Sequence, residues 1–247
     1  MLYYKNDKGL LYCGDVLEEM KNIPDESVDL IITSPPYNLK YHHINKKKIG
    51  CYKDSMPEKK YQEWQIQILE ECYRVLKVTG SMFYNHKNRI SKGIQITPYE
   101  WIFKTPFIIK QEIVWINKGP NFDPIRFYPY SERIYWLAKS SKTKLLNVIN
   151  KHDVFDWNDW RPVNTDRTKE SYHDRMFPLQ LPIDIISCFP DSEVVLDPFI
   201  GSGTTAIAAE QLSKKWIGID NQESFCELTV KKINTKSRYK TSYTISL

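Results

Sequence analysis

Apolar positions along this chain alternate between two rhythms. Val28-Asp29-Leu30-Ile31-Ile32-Thr33 is a compact apolar run, which predicts a buried strand leading straight into Ser34. Across residues 61–77, Trp64, Ile68, Leu69, Cys72, Val75 and Leu76 recur at helical spacing. Gly80 then marks the expected end of that helix and the start of a strand over residues 81–84. Upstream, residues 10–16 read as a strand ending at a polar turn, with Val16, Leu17, Met20 and Ile23 as the apolar face of a following helix. Residues 107–116 and 132–138 are rich in β-formers and predict two more strands, joined by a loop of glycine, proline and aromatics. The closing pattern is the clearest: helix over 182–188, strand over 194–196, glycine turn, helix over 204–212, strand over 216–219. Strands alternating with helices predict an α/β fold, a doubly wound and mainly parallel sheet.

Two stretches escape this regularity. Residues 139–173 are mostly polar, with isolated Trp157 and Trp160 and no sustained period, which suits a functional segment better than a core element. A polar tail follows Asn234, and no internal repeat is present.

Composition narrows the class. At 247 residues the chain suits a single α/β domain with its own core, without need of disulfides or structural metal. Its five cysteines (Cys13, Cys51, Cys72, Cys188, Cys226) are dispersed and contain no C-x-x-C pair, so reduced thiols are expected and no metal site. No apolar run reaches the roughly 20 residues that span a bilayer, and the first residues lack the apolar core of a signal peptide. A cytoplasmic protein away from membranes is expected. The net charge of +5 permits a polyanionic partner without identifying one.

Candidate chemistry sits in two places far apart in sequence. Asp197-Pro198-Phe199-Ile200-Gly201-Ser202-Gly203-Thr204-Thr205 is a glycine turn between a strand and a helix, where a ligand can approach backbone N–H groups closely. Asp220 closes the next strand, where a carboxylate would accept hydrogen bonds from ribose hydroxyls. A nicotinamide oxidoreductase would share these features, but would need further strand–helix units after the turn. A P-loop is excluded because no Gly-Lys-Ser/Thr follows. The second place is Thr33-Ser34-Pro35-Pro36-Tyr37. Ser34 offers an oxygen acceptor at a strand end. The two prolines fix the backbone, so that Pro35 presents its carbonyl with no N–H of its own or of Pro36 in competition. Tyr37 offers a flat face.

Taken together, the Ser-Pro-Pro-Tyr and Asp-Pro-Phe-x-Gly-Ser-Gly-Thr-Thr stretches resemble the signature of DNA amino-methyltransferases. Their order, catalytic stretch first and cofactor stretch last, resembles the permuted beta class. The resemblance runs from about residue 11 to 232 and implies a Rossmann-like fold, S-adenosylmethionine (SAM) as cofactor and double-stranded DNA as partner. It places Asp197 near the methionine amino group and Phe199 in the adenine pocket, with Gly201, Ser202, Gly203, Thr204 and Thr205 forming the turn. His173, Phe177 and Pro178 resemble the segment preceding that turn. Asp15 matches an acidic position near the SAM adenine and equally suits a helix N-cap.

On this reading Ser34, Pro35, Pro36 and Tyr37 accept hydrogen bonds from an exocyclic amine and stack a base flipped out of the duplex. Serine at position 34 accompanies cytosine N4 methylation in relatives, whereas aspartate is the common adenine form. Asn38 occurs among adenine-specific relatives, so adenine N6 is the alternative. The lack of a Pro-Cys nucleophile argues against carbon-5 methylation. A catalytically silent nucleic-acid binder is the remaining alternative. Lys46-Lys47-Lys48, with His42 and His43, suits a loop closing over the base, and residues 139–172 match the target-recognition segment. Glu132 resembles a family position near the catalytic pocket, without an assigned role. The resemblance also admits a restriction endonuclease acting on the same site as a companion. Ile200 departs from the family pattern, where small residues are commoner; it should bulk up the turn.

Overall fold

The structure, a computed structural model, describes residues 1–39, 55–117, 125–148, 152–156 and 177–235. His42, His43, Lys46–Lys48, Trp157, Trp160 and His173 lie outside the described residues, as do most of residues 139–172, where a target-recognition segment is expected, and the tail beyond 235.

Among the described residues, eleven strands and six helices follow in chain order. β1 (Leu2–Lys5) and β2 (Gly9–Cys13) form a hairpin before α1 (Val16–Met20), β3 (Val28–Thr33), α2 (Glu58–Val75) and β4 (Leu76–His86). A small hairpin, β5 (Arg89–Ser91) with β6 (Ile94–Ile96), leads to α3 (Tyr99–Ile102), then to the long antiparallel pair β7 (Ile108–Ile116) and β8 (Ser131–Ala138). After β9 (Val154–Phe155) come α4 (Gln180–Ser187), β10 (Val194–Asp197), α5 (Thr204–Gln211), β11 (Lys215–Asp220) and α6 (Glu223–Asn234).

One nine-stranded sheet organises the molecule, in the order β1-β2-β11-β10-β3-β4-β8-β7-β9. Its centre, β2-β11-β10-β3-β4, is parallel, and β8 pairs antiparallel with both β4 and β7. The expected doubly wound, mainly parallel fold is what the chain adopts. Alternation along the strands feeds two cores. Leu30, Ile32, Phe83 and Val195 pack with α4, α5 and α6 on one face. Ile31, Met82, Tyr84 and Leu196 pack with α1, α2 and Trp101 on the other.

Connections diverge at the centre. From β3 the chain crosses through α2 to β4 on one side, and from β10 through α5 to β11 on the other. The crevice between the carboxyl ends of β3 and β10 is therefore a topological switch point, where open α/β sheets bind their ligands.

Some expectations need correction. Gly80 does not end a helix: α2 stops at Val75 and Gly80 lies within β4, beside a register irregularity in the pairing with β3. A Cβ there would lie 2.8 Å from the Asp29 carbonyl oxygen, so close approach to β3 is what requires glycine. The helix also begins earlier than residue 61, at Glu58. The edge strand β1, the β5–β6 hairpin and the single turn of α3 carry too short a pattern to read.

Candidate active site

A cavity of about 490 Å³ opens at the switch point, within the range of small-molecule sites. Its walls come from both motifs. Ser34, Pro35, Pro36 and Tyr37 line one end, and Asp197, Phe199, Gly201, Ser202 and Thr204 the other. Asp15, Phe177 and Asp220 also stand on its walls. Gly203, Thr205 and Pro178 do not line it, and the first two support the turn from behind.

Asp197 is the joint between the halves. It is fully buried, and its Oδ1 accepts hydrogen bonds from the Thr33 hydroxyl (2.8 Å) and the Phe199 N–H (3.0 Å). Its Oδ2 accepts from the Thr205 hydroxyl at 2.7 Å. Residues 33 and 197, distant in sequence, are thus locked across neighbouring strand ends. Burial raises the Asp197 carboxyl to about 6 against these three stabilising donors, with the charge of Asp220 adding to the rise. Asp220 accepts from the Gly201 N–H at 3.0 Å and the Gln222 N–H at 2.8 Å, and burial raises it to about 6 as well. Two costly carboxylates facing one cavity favour a ligand that brings a cation or hydroxyl donors.

The turn itself is tightly built. Gly203 has φ +83°, and a Cβ on it would lie 2.8 Å from the Thr229 side chain, whose hydroxyl donates to the Gly201 carbonyl at 3.0 Å. Ile200 does bulk up the turn, and Gly218 is what accommodates it: a Cβ at 218 would lie 3.0 Å from Ile200 Cγ1. Asp15 caps α1, its Oδ1 accepting from the N–H groups of Leu17 (2.9 Å) and Glu18 (3.3 Å), while also lining the cavity. Trp64 meets Phe199 edge-on at 5.7 Å, giving an aromatic wall.

At the other end the backbone is held from below. The Tyr61 hydroxyl donates to the Pro36 carbonyl at 2.6 Å. With its one proton committed, the Tyr61 oxygen accepts from Gln65 Nε2 (2.9 Å) and from His86 Nε2 (2.7 Å). The Lys87 N–H donates to His86 Nδ1, which agrees with the proton lying on Nε2. Burial pushes His86 down to about 3, so it stays neutral. Gln65 Oε1 accepts from the Tyr84 hydroxyl, which accepts from Trp101 Nε1. The Pro35 carbonyl, by contrast, accepts no hydrogen bond among the described residues.

Two polar residues join Ser34 and Tyr37 here. Ser34 Oγ and the Tyr37 hydroxyl are 2.7 Å apart, and Tyr37 donates to Glu132 Oε2 at 2.9 Å. Asn85 Nδ2 lies 2.8 Å from the Tyr37 oxygen, 3.1 Å from Glu132 Oε2 and 3.3 Å from Ser34 Oγ. Sequence reasoning misses Asn85 and gives Glu132 no role. The available signal is polarity where strands are otherwise apolar: Asn85 near the end of β4, Glu132 near the start of β8.

Fold and cavity together define an α/β protein with a ligand seat at its switch point. The chain belongs to the DNA methylase family, of the N6/N4 methyltransferase type, matching that family's model over residues 28–231. It is 29% identical to the type II methyltransferase M.BglII of Bacillus subtilis, over 88% of this chain and 67% of that protein. It is also 29% identical to M.BamHI of Bacillus amyloliquefaciens, covering 96% of this chain but only 60% of that relative's length.

Among solved structures, the PvuII DNA methyltransferase (cytosine-N4-specific) superposes with a TM-score of 0.69 at 22% identity, over 94% of each chain. A protein described as a DNA modification methylase of Thermus thermophilus, complexed with S-adenosyl-L-methionine, gives 0.67 at 20% identity, over 93% of this chain and 95% of that one. These likenesses support the fold.

Proposed function

We propose that this protein transfers a methyl group from SAM to the N4 amine of cytosine in double-stranded DNA, after the base has left the helix. The observation that carries the reading is the Thr33–Asp197 hydrogen bond, which fixes the Ser34-Pro35-Pro36-Tyr37 segment and the glycine turn over one cavity. SAM fits the cavity's chemistry: it brings a cation and ribose hydroxyls to two buried carboxylates, and a flat ring to Trp64, Phe199 and Phe225. When bound it supplies an electrophilic methyl group.

The chain's own task is orientation. The aromatic amine is a poor nucleophile because its lone pair is delocalised into the ring. Acceptors that take its N–H protons aim that lone pair at the methyl carbon. Ser34 Oγ and the Pro35 carbonyl are the acceptors, and the Tyr37 ring on the cavity wall offers the stacking face. Serine at position 34 and the fold likeness to a cytosine-N4-specific enzyme support cytosine over adenine. Residues 139–172 supply target recognition. The type II relatives support a role beside a restriction endonuclease sharing the site. Among the described residues no helix is long and apolar enough to cross a membrane, and a cytoplasmic setting suits a DNA substrate.

The test is to incubate protein, SAM and unmethylated DNA, digest to nucleosides and identify the product by mass spectrometry. N4-methylcytosine is expected. N6-methyladenine would keep the enzyme class and overturn the base, and no methylated nucleoside would overturn the whole reading. Ser34→Ala is expected to retain the SAM-induced rise in melting temperature while losing most turnover.

A further inference from the structure

We propose that Ser34, Tyr37 and Glu132 form a proton relay, with the Glu132 carboxylate as the terminal acceptor for the proton lost by the target amine. This rests on the amine-methylation reading above. The need is chemical. Once the nitrogen lone pair bonds to the methyl carbon, the nitrogen is positively charged and must shed a proton while still held in the cavity.

Hydrogen-bond polarity supplies a direction. A tyrosine hydroxyl has one proton, and that of Tyr37 points to Glu132 Oε2 at 2.9 Å. Across the 2.7 Å contact Ser34 must then be the donor and Tyr37 the acceptor. Ser34 Oγ has two lone pairs; beside the long 3.3 Å contact from Asn85 Nδ2, one remains to receive an N–H from the cavity side. The chain of donors runs one way, from amine to Ser34, from Ser34 to Tyr37, and from Tyr37 to Glu132.

The far end is built to receive charge. Among the described residues Glu132 accepts, besides Tyr37 itself, from neutral amides: Asn85 Nδ2 at 3.1 Å on Oε2 and Asn117 Nδ2 at 2.8 Å on Oε1. The cation next along the chain is drawn elsewhere: Arg133 Nε pairs with Glu112 Oε1 at 2.9 Å. No cationic side chain among the described residues pairs with Glu132, so its carboxylate faces Tyr37 with neutral donors around it. Asn85, almost fully buried, contacts all three relay oxygens and holds them in register.

Atoms and electrons balance along this path. The amine lone pair forms the N–C bond while the C–S bond breaks, its electron pair remaining on sulfur. The N–H proton moves to Ser34 Oγ, the Ser34 proton to the Tyr37 oxygen, and the Tyr37 proton to Glu132 Oε2. The N–H bonding pair returns to the methylated amine, which leaves neutral. Glu132 then releases its proton to solvent when the product departs.

The test compares wild type with Glu132→Gln, Tyr37→Phe and the double variant in single-turnover methylation at saturating SAM and DNA. Each single change is expected to slow methyl transfer at least about a hundredfold, the low end for acid–base assistance. The double variant should be no slower than the slower single, because members of one relay fail as a unit. The SAM-induced rise in melting temperature should be the same in all four proteins. In the ligand-free protein, the Tyr37 Cζ signal from ¹³C-labelled tyrosine should move in Glu132→Gln, reporting the lost O–H to carboxylate bond.

An unaltered rate in Glu132→Gln overturns the relay, as do additive losses in the double variant, an unmoved Tyr37 signal, or loss of SAM binding in step with rate. A wild-type protein that methylates no nucleoside overturns the proposed function beneath it instead.

Discussion

The Tyr61 side chain shows how much of the site depends on groups behind the cavity wall. Its hydroxyl ties the Pro36 carbonyl, and it also absorbs the protons of Gln65 Nε2 and His86 Nε2. Tyr61→Phe removes one oxygen and leaves two buried donors without that acceptor, with only a 3.4 Å contact from Gln65 to steady Pro36. A loss of roughly 1–3 kcal/mol follows from stranded buried donors, read by urea denaturation. Turnover should fall more than SAM affinity, because the Pro-Pro carbonyls shift while Asp197 and its donors do not. Unchanged stability in the phenylalanine variant would mean that the network is not formed as described. Sequence makes the outer ring of this arrangement readable, since Ser34, Tyr37, Asp197 and the glycines sit in local patterns with a chemical purpose. Tyr61, Gln65 and His86 are illegible for a physical reason. On α2, Tyr61 continues an apolar stripe, and nothing local says that its hydroxyl points at a proline 25 positions earlier in the chain.

At the level of elements, the turn between β10 and α5 separates backbone strain from crowding. Gly203 and Gly93 share φ +83°, yet a Cβ at 203 meets the Thr229 side chain at 2.8 Å, whereas at 93 the nearest atom is an Arg126 guanidinium nitrogen at 3.9 Å. Alanine in the left-handed region costs about 1–2 kcal/mol at either position. Crowding adds about 1–3 kcal/mol at 203 alone. Gly203→Ala should therefore melt at a lower temperature than Gly93→Ala, and should also lose stabilisation by SAM, since Thr229 anchors the Gly201 carbonyl. Equal melting temperatures would show that Thr229 yields without cost. Elements of this kind are legible because the final strand–turn–helix–strand run has strong, contiguous pattern. The boundary between α2 and β4 is not. Leu76, Val78 and Gly80 suit either a fraying helix or a strand, and pairing of Val28 with Leu76 decides it. Asn38 is a similar case: its side chain bonds both the Met56 N–H (2.6 Å) and the Met56 carbonyl (3.1 Å). Only the fold brings these two positions together.

Across the whole molecule, the switch point joins fold stability to ligand charge. Asp197 and Asp220 are both raised to about 6 by burial, above the ordinary carboxylate value of 3.8. A carboxyl with a raised folded value contributes stability that is fully present below about 4 and is lost as pH rises through about 6. In the ligand-free protein, these two groups therefore oppose folding at neutral pH relative to pH 4. A ligand carrying positive charge or hydroxyl donors reverses the balance, because it favours the ionised carboxylates. Binding of SAM near pH 6 should then release protons, and affinity should weaken as pH falls from about 7.5 to about 5, the span that brackets both groups. The measurement is the SAM-induced shift in melting temperature across that range, at fixed SAM concentration and ionic strength, with calorimetry in two buffers of different ionisation enthalpy to count the protons. A shrinking shift on acidification, with proton release greatest near pH 6, is expected. Asp220→Asn should flatten part of the pH dependence and weaken binding at the alkaline end. A shift of equal size at both ends of the range would show that neither carboxylate senses the ligand, and would detach the cofactor seat from the two strand ends on which the fold has placed it.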